Sequence, residues 1–529
     1  MKGDFARVTF DPARHYSRVM QQQGRVSLEA DWNEQAGIQL FLLRTMIADL
    51  VGPCWAPGQG FAITTQPQVA SWQLTPGHFY VDGILCQNED VCTLGSQPYA
   101  PAPADAGGDW THPPTSFALW LDVWERHLSA IEAPEIADPA LNGVDTASRA
   151  QTVWQVRLLD LDPATLAATL DAVTAALKLR LQAAVKQADQ DAINQQITAV
   201  AQLRDRVAAG NLSANGNPCP TLRQVLGSRA TYAWPALTAR LGPVVSDNDP
   251  CVIAADARYR GCENQLYRVE IHQGGAAGAL DAPSGTNFKW SRENGSVILP
   301  LISADSTPQS DGSAQLAVTV GALGRDQRLG LAVSDWVELV DDDYTLAQRA
   351  APLLQVMAID VAQRVVTLNV PKNVTPYAVS NDPARHPLLR RWDQSGSLDA
   401  QGCVPLVEGQ AFELEDGVQV TFQPGGIYAN GDYWVIPARV AGDGMLDWPQ
   451  APDGTPAAVL SSGMHHQAVL GVFGAQGDYN ECCCRFDSLC SLMRNTDARA
   501  VNNLDLQPAK VLKPAVKKTG GTQATKGKP

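Results

Sequence analysis

The sequence predicts a mainly β, multidomain protein built from sandwich- or barrel-like domains, with an N-terminal amphipathic helix and a long α-helical insert. Three observations carry this. The 43 Gly, 35 Pro and 13 Trp among 529 residues suit many turns and aromatic-bearing strands. Apolar residues alternate on both sides of Asp416-Gly417, a dipeptide that tolerates the positive φ angles of a tight hairpin. One stretch, Ala164 to Ala209, lacks both Gly and Pro and keeps apolar residues at steps of four and three.

In the first helix, predicted from Ser27 to Leu50, Leu28, Trp32, Ala36, Leu40, Leu43 and Ile47 share one face, expected to be a buried stripe seated in its own β domain or in a neighbouring subunit. Ser27 is placed to cap its start, and Gly52-Pro53 ends it because Pro cannot donate the next helical hydrogen bond. Phe117 to Trp124, apolar on both faces at its start, reads as a buried strand. In the Gly- and Pro-free stretch, Leu166, Leu170, Val173 and Leu177 pair in spacing with Ile193, Ile197 and Val200. A helix or helical hairpin follows, bent near Asp189-Gln190-Asp191; it packs on its own domain or serves as a coiled-coil arm for a partner. Tyr267 to His272 alternates strictly, which predicts a half-exposed strand with His272 on its polar face.

These signals divide the chain into a docking segment at 1–53, a first β part at 54–160, a helical insert and linker at 161–220, a β domain at 221–375, a C-terminal β domain at 376–495 and a Lys-rich tail at 496–529. The tail lacks periodicity and is expected to be disordered, serving solubility or as an electrostatic tether. A net charge of −15 disfavours nucleic-acid binding by the body. The N-terminus lacks the apolar core of a secretory signal and no run has the length of a membrane span, so synthesis in the cytoplasm is expected, with release in a particle compatible. Eleven cysteines without a regular framework, three of them adjacent at 482–484, suit reduced thiols.

Candidate chemistry is sparse. No P-loop, Gly-x-Ser-x-Gly, His-Glu-x-x-His or dinucleotide fingerprint is present, so no catalytic residue, cofactor or enzymatic activity is expected. His465, His466 and Cys484 are the densest metal-capable group, yet adjacent residues on an extended strand point to opposite faces, which favours ordinary strand histidines and thiols. Asp341, Asp342 and Asp343 could offer oxygens to calcium, but they lack the Gly-punctuated loop of an EF-hand, which favours a solvated turn. Glu413, Glu415 and Asp416 share a hairpin without a facing carboxylate, as an exposed face does. The tryptophans are spread over all the β segments, as core packing requires; a glycan platform would gather several on one face.

Several strings, taken together, identify a resemblance: Lys2-Gly3-Asp4-Phe5, Phe10-Asp11-Pro12-Ala13-Arg14-His15-Tyr16-Ser17-Arg18-Val19 and Gln22-Gln23-Gly24-Arg25-Val26, leading to Ala30-Asp31-Trp32-Asn33-Glu34-Gln35. Further matches are Leu121-Asp122-Val123-Trp124-Glu125-Arg126, Phe288-Lys289-Trp290-Ser291-Arg292-Glu293-Asn294-Gly295, Leu414-Glu415-Asp416-Gly417-Val418 and Gly431-Asp432-Tyr433-Trp434. They resemble the DUF6519 family, a domain of unknown function, over nearly the whole chain; the helical stretch and the Lys-rich tail look private. Cys484-Arg485 matches a Cys-Arg near the family's end, and Cys482 and Cys483 are extra to it, which speaks against a shared metal role. The resemblance implies a structural component of a contractile phage-tail-like particle, docked to other tail or baseplate proteins and compatible with self-association. The competing class is a surface carbohydrate-recognition module or carbohydrate-active enzyme.

Overall fold

Strands Phe117–Leu128 and Arg149–Asp160 pair antiparallel along their whole length, from Phe117↔Asp160 to Leu128↔Arg149, and anchor the first of three β bodies. In this computed structural model the described residues are 1–65, 72–100, 114–141, 144–212, 217–242, 258–277, 285–324, 326, 328–442, 444–474 and 479–486. The Lys-rich tail therefore lies outside them.

Alternation sets the two faces of that sheet. Leu119, Leu121 and Val123 point into a core shared with Phe79, Val81 and Ile84 of a facing sheet. Ala118, with Val469 and Val472 of strand His466–Phe473, points the other way, onto helices. These are Pro163–Ala183, capped by Asp162 through the Thr165 amide at 2.9 Å, and Gln187–Ala208. Leu166, Leu170, Val173, Leu177, Val200, Leu203 and Val207 are buried there, so the hairpin packs on its own chain. Its break falls at residues 184–186, ahead of Asp189-Gln190-Asp191, because Ala184 adopts extended backbone and the Gln190 side chain caps its carbonyl at 2.7 Å.

The second body is a sandwich. Strands Gln265–Gln273, Asn287–Ser291 and Tyr433–Arg439 form one layer and Ala236–Leu241 with Val418–Phe422 the other, closing over Val269, Trp290, Trp434 and Phe422. The Asp416-Gly417 hairpin is present, with φ of 50° and 83°. The third body, entered from the sandwich after Ser291 and left before strand Val404–Pro405, is a closed barrel of strands Ile298–Pro308, Ala314–Val320, Val365–Val370, Leu354–Asp360, Trp336–Val340 and Leu388–Trp392. The chain thus departs from consecutive blocks: residues 376–392 complete the barrel, and His466–Phe473 returns to the first body beside Phe117–Leu128.

Two expectations are corrected. Strand Gln265–Gln273 is buried on both faces up to His272, because Arg268 and Glu270 pair with each other, Glu270 also meets Lys289 of the neighbouring strand and Lys2 of the N-terminal segment, and His272 faces Glu338 of the barrel instead of water. The cysteines are not all reduced: Cys219 and Cys482, 263 residues apart in sequence, form a disulfide. Neighbouring side chains diverge as extended backbone requires, so Cys482 joins the helical core while Cys483 packs against the sheet core.

Candidate functional site

The N-terminal segment is held in the junction of the three bodies. Lys2 pairs with Glu270 at 3.0 Å, Asn294 donates to the Gly3 carbonyl at 2.9 Å, and Phe5 lies edge-on to His127. A Cβ on Gly3 would sit 2.7 Å from the Phe5 ring and 3.1 Å from His127, so a larger residue there would displace the Phe5 ring. From Arg7 the chain runs out as an arm and doubles back along helix Glu29–Val51. Thr9 donates to Glu34 at 2.5 Å, the Val19 amide to Gln35 at 2.7 Å, and Phe10 packs beside Phe41.

The helix itself sits on the first body. Arg44 forks onto Glu125 at 2.7 and 3.3 Å, a bidentate pair, and the backbone at Arg44 lies over the tight turn Asp82-Gly83. Gly83 has φ +77°, and a Cβ there would come 2.2 Å from the Arg44 carbonyl oxygen. Gly83→Ala is therefore expected to unseat the helix, costing roughly 1–3 kcal/mol locally. Hydrogen exchange across residues 29–51 would accelerate well above the rate in the rest of the first body; unchanged exchange would refute the seating.

At about 100° per residue, the inward positions Ala30, Gly37 and Ile38 lie on the side opposite the predicted stripe. Leu28, Trp32, Ala36, Leu40 and Leu43 are exposed, Trp32 by 65% and Leu43 by 50%, and Ile47 is half-buried. The helix thus has two apolar faces, one seated on its own chain and one presented outward. Leu42, Met46 and Leu50 widen the outward face. Ser27 does not cap the helix: Leu28 is the N-cap residue, and the Ser27 hydroxyl accepts from the Trp32 indole at 3.0 Å. Gly52 ends it as expected, its amide bonded to Ala48.

The other candidates are dispersed. His465 lies 2.8 Å from Asp122 and stacks on Trp124, His466 is 2.7 Å from Asp82, and Cys484 is an exposed thiol. Among the described residues no group of three His, Cys, Asp or Glu side chains converges to hold a metal. The three aspartates also diverge, and they are not a solvated turn. Asp341 is buried and caps a short helix through the Tyr344 amide at 2.8 Å, while Tyr377 donates to it at 2.7 Å; Asp342 meets Arg126 and His386, and Asp343 meets Arg385. Glu415 is held by Arg292 at 2.9 and 2.7 Å and Glu413 by Arg260 at 3.0 Å. Trp154, Trp290, Trp392 and Trp434 are fully buried, and among the described residues Trp32 is the exposed tryptophan. No helix among the described residues is long and apolar enough to cross a membrane.

One cluster went unanticipated. Arg268 and Glu270, Lys289 and Glu338 interlock where sandwich and barrel meet, each buried, with Arg268 2.6 Å from Glu270 and Lys289 donating to Glu338. Lys289, His272 and Lys2 hold the Glu338 carboxyl down at about 2, against the cost of burial. Burial, then Lys289, pushes His272 down to about 4; burial, then Arg390, pushes His127 down to about 3. The available signal was Arg268, Glu270 and His272 at every second position of one strand, and Lys289 and Glu338 as single charges within strands otherwise rich in aromatic and aliphatic residues.

A solved structure entitled "Crystal structure of TssK" aligns with 77% of this chain and 98% of its own at 10% identity and a TM-score of 0.15, too loose to carry an argument. No curated protein matches the sequence significantly. The family of unknown function DUF6519 matches residues 1–527, almost end to end, and the chain belongs to that family.

Proposed function

We propose that this protein is a structural component of a contractile phage-tail-like particle, acting by docking its N-terminal helix onto another tail or baseplate protein. The observation that supports this reading is the outward stripe Leu28, Trp32, Ala36, Leu40 and Leu43: large apolar side chains in register along a helix anchored firmly on its other side. Contiguous apolar surface of this kind on a folded protein marks an interaction site. Covering the exposed half of each large side chain is worth about 1 kcal/mol.

The arm beside the stripe sets the partner's chemistry. Between Arg7 and Val26 it carries Arg7, Arg14, Arg18 and Arg25; Arg7 pairs with Asp447 and Arg14 with Asp11, which leaves an excess of two positive charges at Arg18 and Arg25 in a chain of net charge −15. The fitting occupant is a protein groove with an apolar floor and an acidic rim. The test is reconstitution with purified sheath, tube and baseplate proteins of the particle. Wild type is expected to incorporate, and Leu40→Asp with Leu43→Asp to weaken incorporation at least 100-fold while melting like wild type, since both side chains lie outside the core. Equal incorporation of the double variant, or none of the wild type, would refute the reading, as would a groove filled by a second copy of this chain in sedimentation.

A further inference from the structure

Where the three bodies meet the N-terminal segment they enclose a cavity of about 330 Å³, within the size range of small-ligand sites. Four cationic side chains line it: Arg268, Lys289 and Arg390, all buried, and Lys2 at the mouth with 28% of its side chain exposed. Facing them are the buried carboxylates Glu270 and Glu338. Both are already engaged. Glu270 takes Lys2, Arg268 and Lys289 at 3.0, 2.6 and 3.6 Å, while Glu338 accepts from Lys289, from the Tyr344 hydroxyl at 2.9 Å and from the Trp392 indole at 2.8 Å. Arg390 donates to the Gly295 carbonyl, and among the described residues no carboxylate pairs with it.

The other side-chain charges around the cavity cancel, and burial, then Arg268, holds the Met1 α-amino group, which also lines it, well below the usual amine value. Arg126 pairs with Asp342 and Glu125 with Arg44, and Arg349 and Glu132 are of opposite sign. Four cations against two carboxylates leave an excess of two positive charges, one in the interior and one at the partly exposed Lys2, and buried charge is costly unless it is compensated.

A second, independent feature lies in the same wall. His272 is 2% exposed, and its Nε2 is 2.9 Å from the Ala351 carbonyl oxygen, which can only accept. Nε2 therefore carries the ring proton, and Nδ1 of the neutral ring presents a lone pair that has no hydrogen-bond partner, with Glu338 Oε1 3.9 Å away, beyond hydrogen-bond reach.

We infer that this cavity binds a small phosphate-like dianion, hydrogen phosphate, whose two charges offset the cationic excess and whose remaining O–H donates to His272 Nδ1. Lys2, at the mouth, closes over the anion and ties its binding to the seating of the N-terminal segment. The inference is independent of the docking reading.

Calorimetric titration of the full chain with inorganic phosphate, at constant ionic strength set with chloride, is expected to show saturable single-site binding. Sulfate, equally charged but without an O–H donor, is expected to bind about tenfold more weakly, the difference of one hydrogen bond. Lys2→Met is expected to weaken phosphate binding at least tenfold. The sulfate comparison uses the unaltered chain, so it decides even if the variant fails to fold. Absence of saturable phosphate binding, sulfate binding as tight as phosphate, or a folded Lys2→Met variant that binds like wild type would overturn the inference.

Discussion

Glu338→Ala is expected to cost about 3–5 kcal/mol of folding stability, the range for removing one partner of a buried ion pair. The carboxylate accepts from Lys289, Tyr344 and Trp392 at once, and its loss leaves Lys289 with Glu270 at 3.6 Å and the Trp392 indole without its acceptor. Chemical denaturation of wild type and variant measures this; a difference below about 1 kcal/mol would contradict the role given to the cluster. Replacing the pair together, Glu338→Leu with Lys289→Met, is expected to cost less than the single change, because no charge is then stranded.

The same cluster sets an acid limit. Glu338 is held at about 2, below its value in the unfolded chain, so its contribution is complete above about pH 4.5 and disappears as pH falls through 2. His272 and His127 are held at about 4 and 3, so the unfolded chain takes up their protons first, and stability declines as pH falls from about 6.5 towards those values. Melting temperature is therefore expected to fall continuously from pH 6.5 to 2. The Glu338→Ala variant should show a shallower lower part of that dependence, where Glu270, also held well below the usual carboxylate range, still contributes, and should keep the upper part.

Reducing the Cys219–Cys482 disulfide, or replacing Cys219 with serine, is expected to destabilise the first body by about 2–4 kcal/mol. The bond ties helix Cys219–Leu226 to the segment after strand Tyr479–Glu481, closing a loop of long sequence separation whose entropy in the unfolded chain is large. Melting with and without reductant measures the effect. Equal curves, with the bond confirmed as formed in the unreduced sample, would show that it contributes nothing.

The sequence made legible what local pattern decides. Asp416-Gly417 forms its hairpin because both residues accept positive φ, and Phe117 to Trp124 is buried because nothing on either face of its start is polar. Periodicity also placed Leu28, Trp32, Ala36, Leu40 and Leu43 on one face, but it does not say which way a face points. Ala30, Gly37 and Ile38, small or isolated in the pattern, make the inward side because Phe10 and the turn at Gly83 leave room only for close approach.

What was missed depends on distant partners. Arg268, Glu270 and His272 alternate as a solvent-facing edge would, yet they are buried by Lys289 of the neighbouring strand and by Glu338 and Lys2, which come from remote parts of the chain. Ser27 looked like a cap until Trp32 took its hydroxyl, and the hairpin bend, in a run without Gly or Pro, was fixed by the Gln190 contact with Ala184.

Oxidative footprinting of free protein and assembled particle measures whether the outward face of helix Glu29–Val51 is covered in an assembly. Trp32 and Met46 stand out in the free chain and are expected to oxidise several-fold more slowly once assembled, while the exposed Met357 of the barrel serves as a reference that does not change. Equal oxidation of Trp32 and Met46 in the two states would contradict the account.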